Sequence, residues 1–175
     1  MKTFELGPDE YVVAIFRKHP FYIWITIAKY ILIAVLPALA GTFLGNMLGN
    51  LGDYTLIIYL IFLIILWISF FIEYTDFMLD TWVLTNDRLV DVDQLGLFSR
   101  RISTLSLDRI QDITIQQLGF LDSMLGIGTV FIQTAGAEEE FKILGMRNPS
   151  HVKDIIMQTY QGSKDRVFEK IAELR

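Results

Sequence analysis

The chain has 175 residues, 53% of them hydrophobic, with a mean hydropathy of +0.43 and a formal charge of −5. That is more apolar surface than one domain of this length needs for a core, so part of it must face lipid. The acidic balance, 15 Lys and Arg against 20 Asp and Glu, excludes non-specific nucleic-acid binding, and the lack of cysteine excludes disulfides and thiolate zinc sites.

Residues 8–16, PDEYVVAIF, open with proline and acids as a helix N-terminus does. Tyr11, Val12, Ile15 and Phe16 recur at helical spacing, which predicts an amphipathic helix on the membrane surface within an interfacial segment over 1–20. Residues 21–44 then give 24 mostly apolar positions and 54–72 give 19, against roughly 20 helical residues to cross a bilayer core of about 30 Å. Tyr22, Trp24, Tyr54 and Tyr74 lie near the ends, where amphipathic rings favour headgroups. Ala38-Leu39-Ala40 after Arg17 and Lys18 also fits a cleaved signal peptide, but Lys29 interrupts what would be its apolar core. We therefore read a two-helix transmembrane hairpin over 21–73.

Arg17 and Lys18 flank the first span, the turn GNMLGNLGD carries only Asp53, and no Lys or Arg occurs from Tyr30 to Asp87. The positive-inside bias puts both termini in the cytoplasm, hence a multi-pass protein of the inner membrane. Lys29, about 12 Å inside the boundary by helical rise, either snorkels back to the headgroups or pairs with Glu73. Gly41, Gly45 and Gly49 repeat at spacing four. Gly49, with Asn46, Asn50 and Gly52, reads as turn, whereas Gly41 and Gly45 suit close packing within the hairpin or between chains.

After Glu73 the period changes to two. Val90 and Val92 alternate with Asp91 and Asp93, Leu105 and Leu107 with Ser106, and Ile113 and Ile115 with Thr114, while Phe131 lies between Val130 and Ile132. Punctuation at Asn86-Asp87, Gly96, Gly119 to Gly128 and Gly136 leaves about six strands with short hairpins. The first of them is expected about two residues after Ile72. Asn148 as N-cap and Pro149 then open a helix with Val152, Ile155, Ile156 and Tyr160 on one stripe, which Gly162 interrupts. The expected boundaries are 74–162 for the β domain with its closing helix and 163–175 for a helical tail bearing Val167, Phe168, Ile171 and Leu174.

The succession LTNDRLV, GLFSRRISTLSLDRIQDITIQQ, LGIGTVFIQTAG and a helix after NPSHV resembles the bacterial pleckstrin-homology-like membrane proteins over nearly the whole chain. Its most specific part is Arg109-Ile110-Gln111-Asp112 followed by Leu125-Gly126-Ile127-Gly128-Thr129-Val130. The resemblance implies a strongly bent antiparallel sheet, a partly open barrel closed at one end by the last helix. It departs at Asp122-Ser123-Met124, where family members often carry a basic residue, so no anion contact is assigned there.

Phosphoinositide binding would need several converging cations, but Asn86, Asp87, Arg88, Arg100 and Arg101 come with Asp91 and Asp93 beside them. Leu97 and Phe98 next to Arg100 and Arg101 suit either a hairpin tip dipping into an anionic leaflet or side chains packed in the core. Residues 118–125 either present an exposed lipid- or partner-facing element or close a barrel end. Glu138, Glu139 and Glu140 read as a solvated turn, and Asp91 and Asp93 share a strand face without a third ligand, so no metal is assigned. No H-E-x-x-H, G-x-S-x-G or Walker motif occurs, and Gly126-x-Gly128 lacks the third glycine of a dinucleotide loop, so no catalytic residue or cofactor is assigned.

The sequence thus points to a non-catalytic, membrane-anchored interaction or scaffold module that self-assembles or meets another membrane protein. The alternative is a lipid- or small-molecule-binding component of envelope transport or stress resistance. Lipid contact falls to Arg17, Lys18, Lys29, Leu97, Phe98, Arg100 and Arg101. Oligomer contact falls to Gly41, Gly45, Val167, Ile171, Leu174 and to Ile132, read as part of a strand edge over 129–134 beside a second edge over 141–144.

Overall fold

The computed structural model describes residues 5–48, 52–134 and 141–173, with backbone only for 44–48, 52–53, 165–171 and 173. The chain divides into a β-rich unit, made of Met1–His19, Leu79–Asp93 and Arg100–Arg175, and a helical unit, made of Pro20–Met78 and Gln94–Ser99.

The β-rich unit begins with β1 (Val12–Phe16), where a surface helix was expected. β1 pairs antiparallel with β2 (Thr81–Thr85), from Val12↔Thr85 to Phe16↔Trp82, with a bulge between Val12 and Ala14. Val12, Val13 and Ile15 are β-branched, which weakens a helix, and the edge of β2 offers them a hydrogen-bonded ladder. Residues just before β1 are clamped by the turn after β2. The Tyr11 N–H donates to Asn86 Oδ1 at 2.9 Å, the Asn86 amide donates to the Asp9 carbonyl at 3.1 Å, and Arg88 holds Glu10 through Nε and Nη2 at 2.7 and 2.8 Å.

β3 (Arg88–Leu95) and β4 (Ser99–Ser106) complete a sheet ordered β1-β2-β3-β4, while β5 (Ile110–Gln116), β6 (Ile127–Thr134) and β7 (Phe141–Arg147) form a second, ordered β5-β6-β7. Among the described residues no strand pairing joins the two. The expected barrel is therefore a pair of antiparallel sheets that do not close, the ladder being interrupted between β4 and β5 by a 3-10 turn over Leu107–Arg109. β6 is the central strand of its sheet and Ile132 is wholly buried. Ile132 is thus a core residue rather than part of an edge, because its alternation places it against Ile113 and the helix-facing core. The second expected edge does hold a border position, in β7.

The core gathers Trp82, Leu84 and Leu89 from the first sheet, Ile113, Ile132 and Ile143 from the second, and Val152 and Ile156 from α4 (Pro149–Glu173). Burying each such side chain is worth about 1.5–3 kcal/mol. Ile155 and Tyr160 pack partly against it, so the expected apolar stripe of α4 does face the sheets. Asn148 precedes α4 at φ 50°, a left-handed conformation that Asn tolerates, and its backbone carbonyl accepts the His151 and Val152 N–H groups. α4 is one helix instead of a helix and a separate tail. A single glycine costs a helix about 1 kcal/mol, and Ser163 Oγ bonds back to the Tyr160 carbonyl across Gly162.

The Gly126-x-Gly128 pair has a structural explanation. Gly126, at φ 63°, ends α3 (Phe120–Leu125) in the left-handed region that favours glycine. At Gly128 a Cβ would lie 2.9 Å from both Gln117 Cγ and Pro149 Cγ, so β6 passes the start of α4 at a distance only glycine allows.

The helical unit holds α1 (Phe21–Leu48) and α2 (Gly52–Leu79), 28 residues each. Its apolar stretches Phe21–Phe43 and Tyr54–Leu79 are long enough to cross a membrane, and 6% and 0% of them is buried. α2 runs on past Ile72 to Leu79, leaving Asp80 alone before β2. Glu73 does not end the helix because Lys29 Nζ lies 2.7 Å from both its carboxylate oxygens, and Thr26 Oγ1 donates to one of them at 3.3 Å. The hydroxyls of Ser69 and Thr75 bond back to the carbonyls of Ile65 and Phe71, which lets polar side chains sit on an apolar helix. The two helices also meet at Tyr30–Phe70, edge to face at 5.3 Å, and where the Tyr59 hydroxyl donates to the Ala34 carbonyl, one turn before Pro37. Gly41 faces α2: a Cβ there would lie 3.5 Å from Thr55 Cγ2. The strand tips over Gln94–Ser99 belong to this unit, with the Gly96 N–H donating to Asp76 Oδ1 at 3.0 Å.

Candidate functional site

Alternation along β3 makes the site. Val90 and Val92 point to one face, where they bury with Val83. Leu89, Asp91 and Asp93 share the other, the face of Trp82, and Asp91 is the cross-strand partner of Trp82. An acidic pair is thereby carried to the border of the core.

There Asp91, Asp93 and Trp82 line a cleft of about 440 Å³, together with Arg101 and Ser103 of β4. Phe141, Lys142 and Leu144 of β7 close it on another side, and Lys18, just after β1, completes the lining. Lys18 Nζ bonds Asp80 Oδ2 at 2.6 Å and lies 5.9 Å from the centre of the Trp82 ring. Lys142 Nζ lies 5.5 Å from the Phe131 ring centre.

The acids are the unsettled part. Burial pushes the Asp91 carboxyl up to about 7, the charges of Asp93 and Asp80 push it the same way, and the neighbouring Trp82 indole N–H holds the rise back. Asp91 Oδ1 and Trp82 Nε1 are nevertheless both buried without a well-formed hydrogen bond among the described residues. At the other end of β3 the balance is reversed. The Arg88 guanidinium holds Glu10 down at about 2, and the Gly7 N–H adds a bond of 2.8 Å.

Of the residues expected at lipid, Lys18 and Arg101 line this cleft. Arg17 is exposed, Lys29 is held by Glu73, Arg100 is half-buried, and Leu97 and Phe98 are exposed at the strand tip, Phe98 at 97%. Residues 118–125 do not form a buried plug: Leu118, Phe120, Leu121 and Met124 are all exposed. Gly45, Val167 and Ile171 lie on helices whose side chains there are outside the described residues, as are Gly49, Asn50, Gly136, Glu138, Glu139, Glu140 and Leu174 altogether. Sequence reasoning missed Trp82, Ser103, Phe141, Lys142 and Leu144. The available signal was Lys142 as the one charge in the stretch 141–144, and an indole a few residues before alternating acids.

The cleft offers cations, carboxylates, a hydroxyl and aromatic faces, a set suited to holding a polar ligand. No curated protein matches the chain. Among solved structures it is similar to a protein with a pleckstrin-homology domain from Shewanella loihica PV-4, at 15% identity over 46% of this chain and 70% of that one, with a TM-score of 0.39. It is also similar to a pleckstrin-homology domain from Shewanella amazonensis SB2B, at 18% identity over 43% of this chain and 63% of that one, with a TM-score of 0.35. The family model described as Bacterial PH domain matches residues 22–159, from within α1 to within α4, and the chain belongs to that family.

Proposed function

We propose that the chain is a non-catalytic interaction module, anchored in the inner membrane by α1 and α2, that presents its PH-like unit at the cytoplasmic face. The observation that carries this reading is that the apolar stretches Phe21–Phe43 and Tyr54–Leu79 have almost no fully buried residue and expose many large apolar side chains, a surface that in water would have to be covered. Arg17 and Lys18 on one flank, against no cation from Tyr30 to Asp87, favour cytoplasmic termini. The exposed side chains of Val12, Val13 and Ile15 on the border strand β1, with Phe120 and Met124 of α3, favour assembly with a second copy or another membrane protein. Leu97 and Phe98 are candidates for lipid contact beside Arg100.

The test is alkaline extraction of membranes followed by thiol labelling. The protein is expected to stay in the pellet, and a cysteine at Ser99 to be shielded from impermeant reagent in intact cells while one at Asn50 reacts. Release into the supernatant would overturn the anchor, and the opposite labelling pattern would overturn the orientation. A second reading, a lipid- or small-molecule-binding component of envelope transport or stress resistance, is favoured by the mixed-charge cleft.

A further inference from the structure

We propose that the turn over 96–98, between β3 and β4, is a third membrane contact of the helical unit, pinned by Asp76 at the headgroup level of the leaflet where α2 ends, with Phe98 set against the acyl chains. This rests on the first reading above and deepens it by naming a lipid surface as what covers the tip.

The tip is built rather than loose. Gly96 has φ 77°, in the left-handed region that favours glycine. The Gln94 side-chain amide donates to the Gly96 carbonyl at 2.6 Å, and the Gly96 N–H donates to Asp76 Oδ1 at 3.0 Å. Both residues of that last bond belong to the helical unit, which takes in Pro20–Met78 and Gln94–Ser99. One carboxylate of α2 therefore fixes the height of the turn along the helix.

That height follows from the length of the span. Tyr54–Leu79 has 26 residues, about 39 Å of helix, against roughly 20 residues for a hydrocarbon core of about 30 Å. A crossing that begins at Tyr54 ends at Glu73, and one that ends at Leu79 begins at Leu60. Asp76 lies midway between the two limits, so it is within about 4.5 Å of the boundary in either case. The headgroup layer outside it is about 5–7 Å thick. Three residues before Asp76, Glu73 is paired with Lys29, a charge placement that a boundary tolerates better than the bilayer centre.

The composition of the tip suits that level. Turns in water favour Gly, Asn, Asp and Ser, but here Leu97 and Phe98 follow the glycine, and Gln94–Ser99 carries no charge. Leu95 and Leu97 are exposed and Phe98 is 97% exposed, so none of the three belongs to the core. Phe98 is two residues from the pinned N–H, at most about 7 Å of chain. Its ring is thus held at the depth where interfacial elements bury their apolar side chains. The same unit exposes Trp67, Phe71 and Met78 on α2, so the tip adds to an apolar surface that already requires lipid.

The chain has no cysteine, so a single one can be placed at Phe98 and, as a reference inside the span, at Ile64. Each is labelled with a polarity-sensitive fluorophore in the full chain, reconstituted in nanodiscs of phosphatidylcholine and phosphatidylglycerol, and quenched by lipids bearing a nitroxide near the head or near the end of the acyl chain. The Phe98→Cys label should resist aqueous iodide and be quenched about twice as strongly by the shallow nitroxide as by the deep one, and the Ile64→Cys label should show the reverse order. Adding Asp76→Ala should open the Phe98 label to iodide and leave the Ile64 profile unchanged. A Phe98 label open to iodide beside an Ile64 label quenched by the deep nitroxide would overturn the proposal and leave the anchor standing, whereas no lipid quenching of either would remove both. A Phe98 label shielded from iodide yet untouched by either nitroxide would overturn it in favour of a second copy of the chain over the tip. Deep quenching at Phe98, or shallow quenching that survives Asp76→Ala, would overturn the pinned placement.

Discussion

The two ends of β3 treat charge in opposite ways. At Arg88 a carboxylate is fully engaged: Glu10 takes two guanidinium bonds and a backbone N–H, its side chain is 7% exposed, and its carboxyl is held at about 2. Three and five residues on, Asp91 and Asp93 crowd together with Asp80, and the Asp91 carboxyl is pushed up to about 7. One end spends its polar atoms on holding β1 in place. The other leaves Asp91 Oδ1 and Trp82 Nε1 buried side by side without a well-formed hydrogen bond among the described residues. A strand that satisfies buried charge at one end and leaves it crowded at the other contributes stability at the first and costs stability at the second.

The contrast can be broken most severely at its settled end. Arg88→Ala leaves the Glu10 carboxylate buried and unpaired and should lower stability by about 3 kcal/mol, read by thermal unfolding of the full chain in detergent. Replacing Arg88 and Glu10 together with Met should recover most of that loss; no recovery would mean that the pair is not the reason for it. Asp91→Asn should do the reverse and raise stability by about 2 kcal/mol at pH 8. Because the folded carboxyl is raised from 3.8 to about 7, the cost of ionising it is absent below the lower value, grows as pH rises, and is constant above the higher one. The gain should therefore vanish at about pH 3.

Glu10→Gln should cost about 1–2 kcal/mol at neutral pH. The folded carboxyl lies below its ordinary 4.5, at about 2, so its contribution is complete above 4.5 and is lost as pH falls toward 2. The variant should lack that acid limb, and an unchanged acid limb would assign it to other carboxylates. Smallest is Asp93→Asn, which removes one like charge from Asp91 and should gain about 0.5 kcal/mol at pH 8.

Elements whose partners are near in sequence were legible. Val90 with Asp91 and Val92 with Asp93 announced a two-faced strand, and Val152, Ile155 and Ile156 announced a helix with one buried stripe. β1 was not, because Tyr11, Val12, Ile15 and Phe16 satisfy a helical spacing by accident and the strand that overrides it begins at Thr81, beyond both long helices. The run on from Glu73 to Leu79 was hidden by a charge whose partner, Lys29, sits on the other helix. Ile132 looked like an edge because strand order within a sheet is not written in periodicity. The cleft draws on β2, β3, β4, β7 and the segment after β1, and sequence spacing brings its residues together only within a strand, as with Asp91 and Asp93, never across strands.

The insertion of α1 and α2 between two paired strands also sets a rule of parity. Val12 waits for Thr85, which at ribosomal rates is about 4–15 s of synthesis, and in that interval both long helices have to be made and stowed. Once β1 and β2 are hydrogen-bonded, the chain entering α1 and the chain leaving α2 must be in the same compartment. In a bilayer, the intervening segment can then cross twice or not at all, but never once. A translocation error that strands one helix would leave β1 on the wrong side, with Phe16 missing from the core and β2 with a bare edge. The first strand thus ties the completeness of the sheet β1-β2-β3-β4 to parity: in a bilayer, an even number of crossings between Phe16 and Thr81 is the condition for its first strand to be in place.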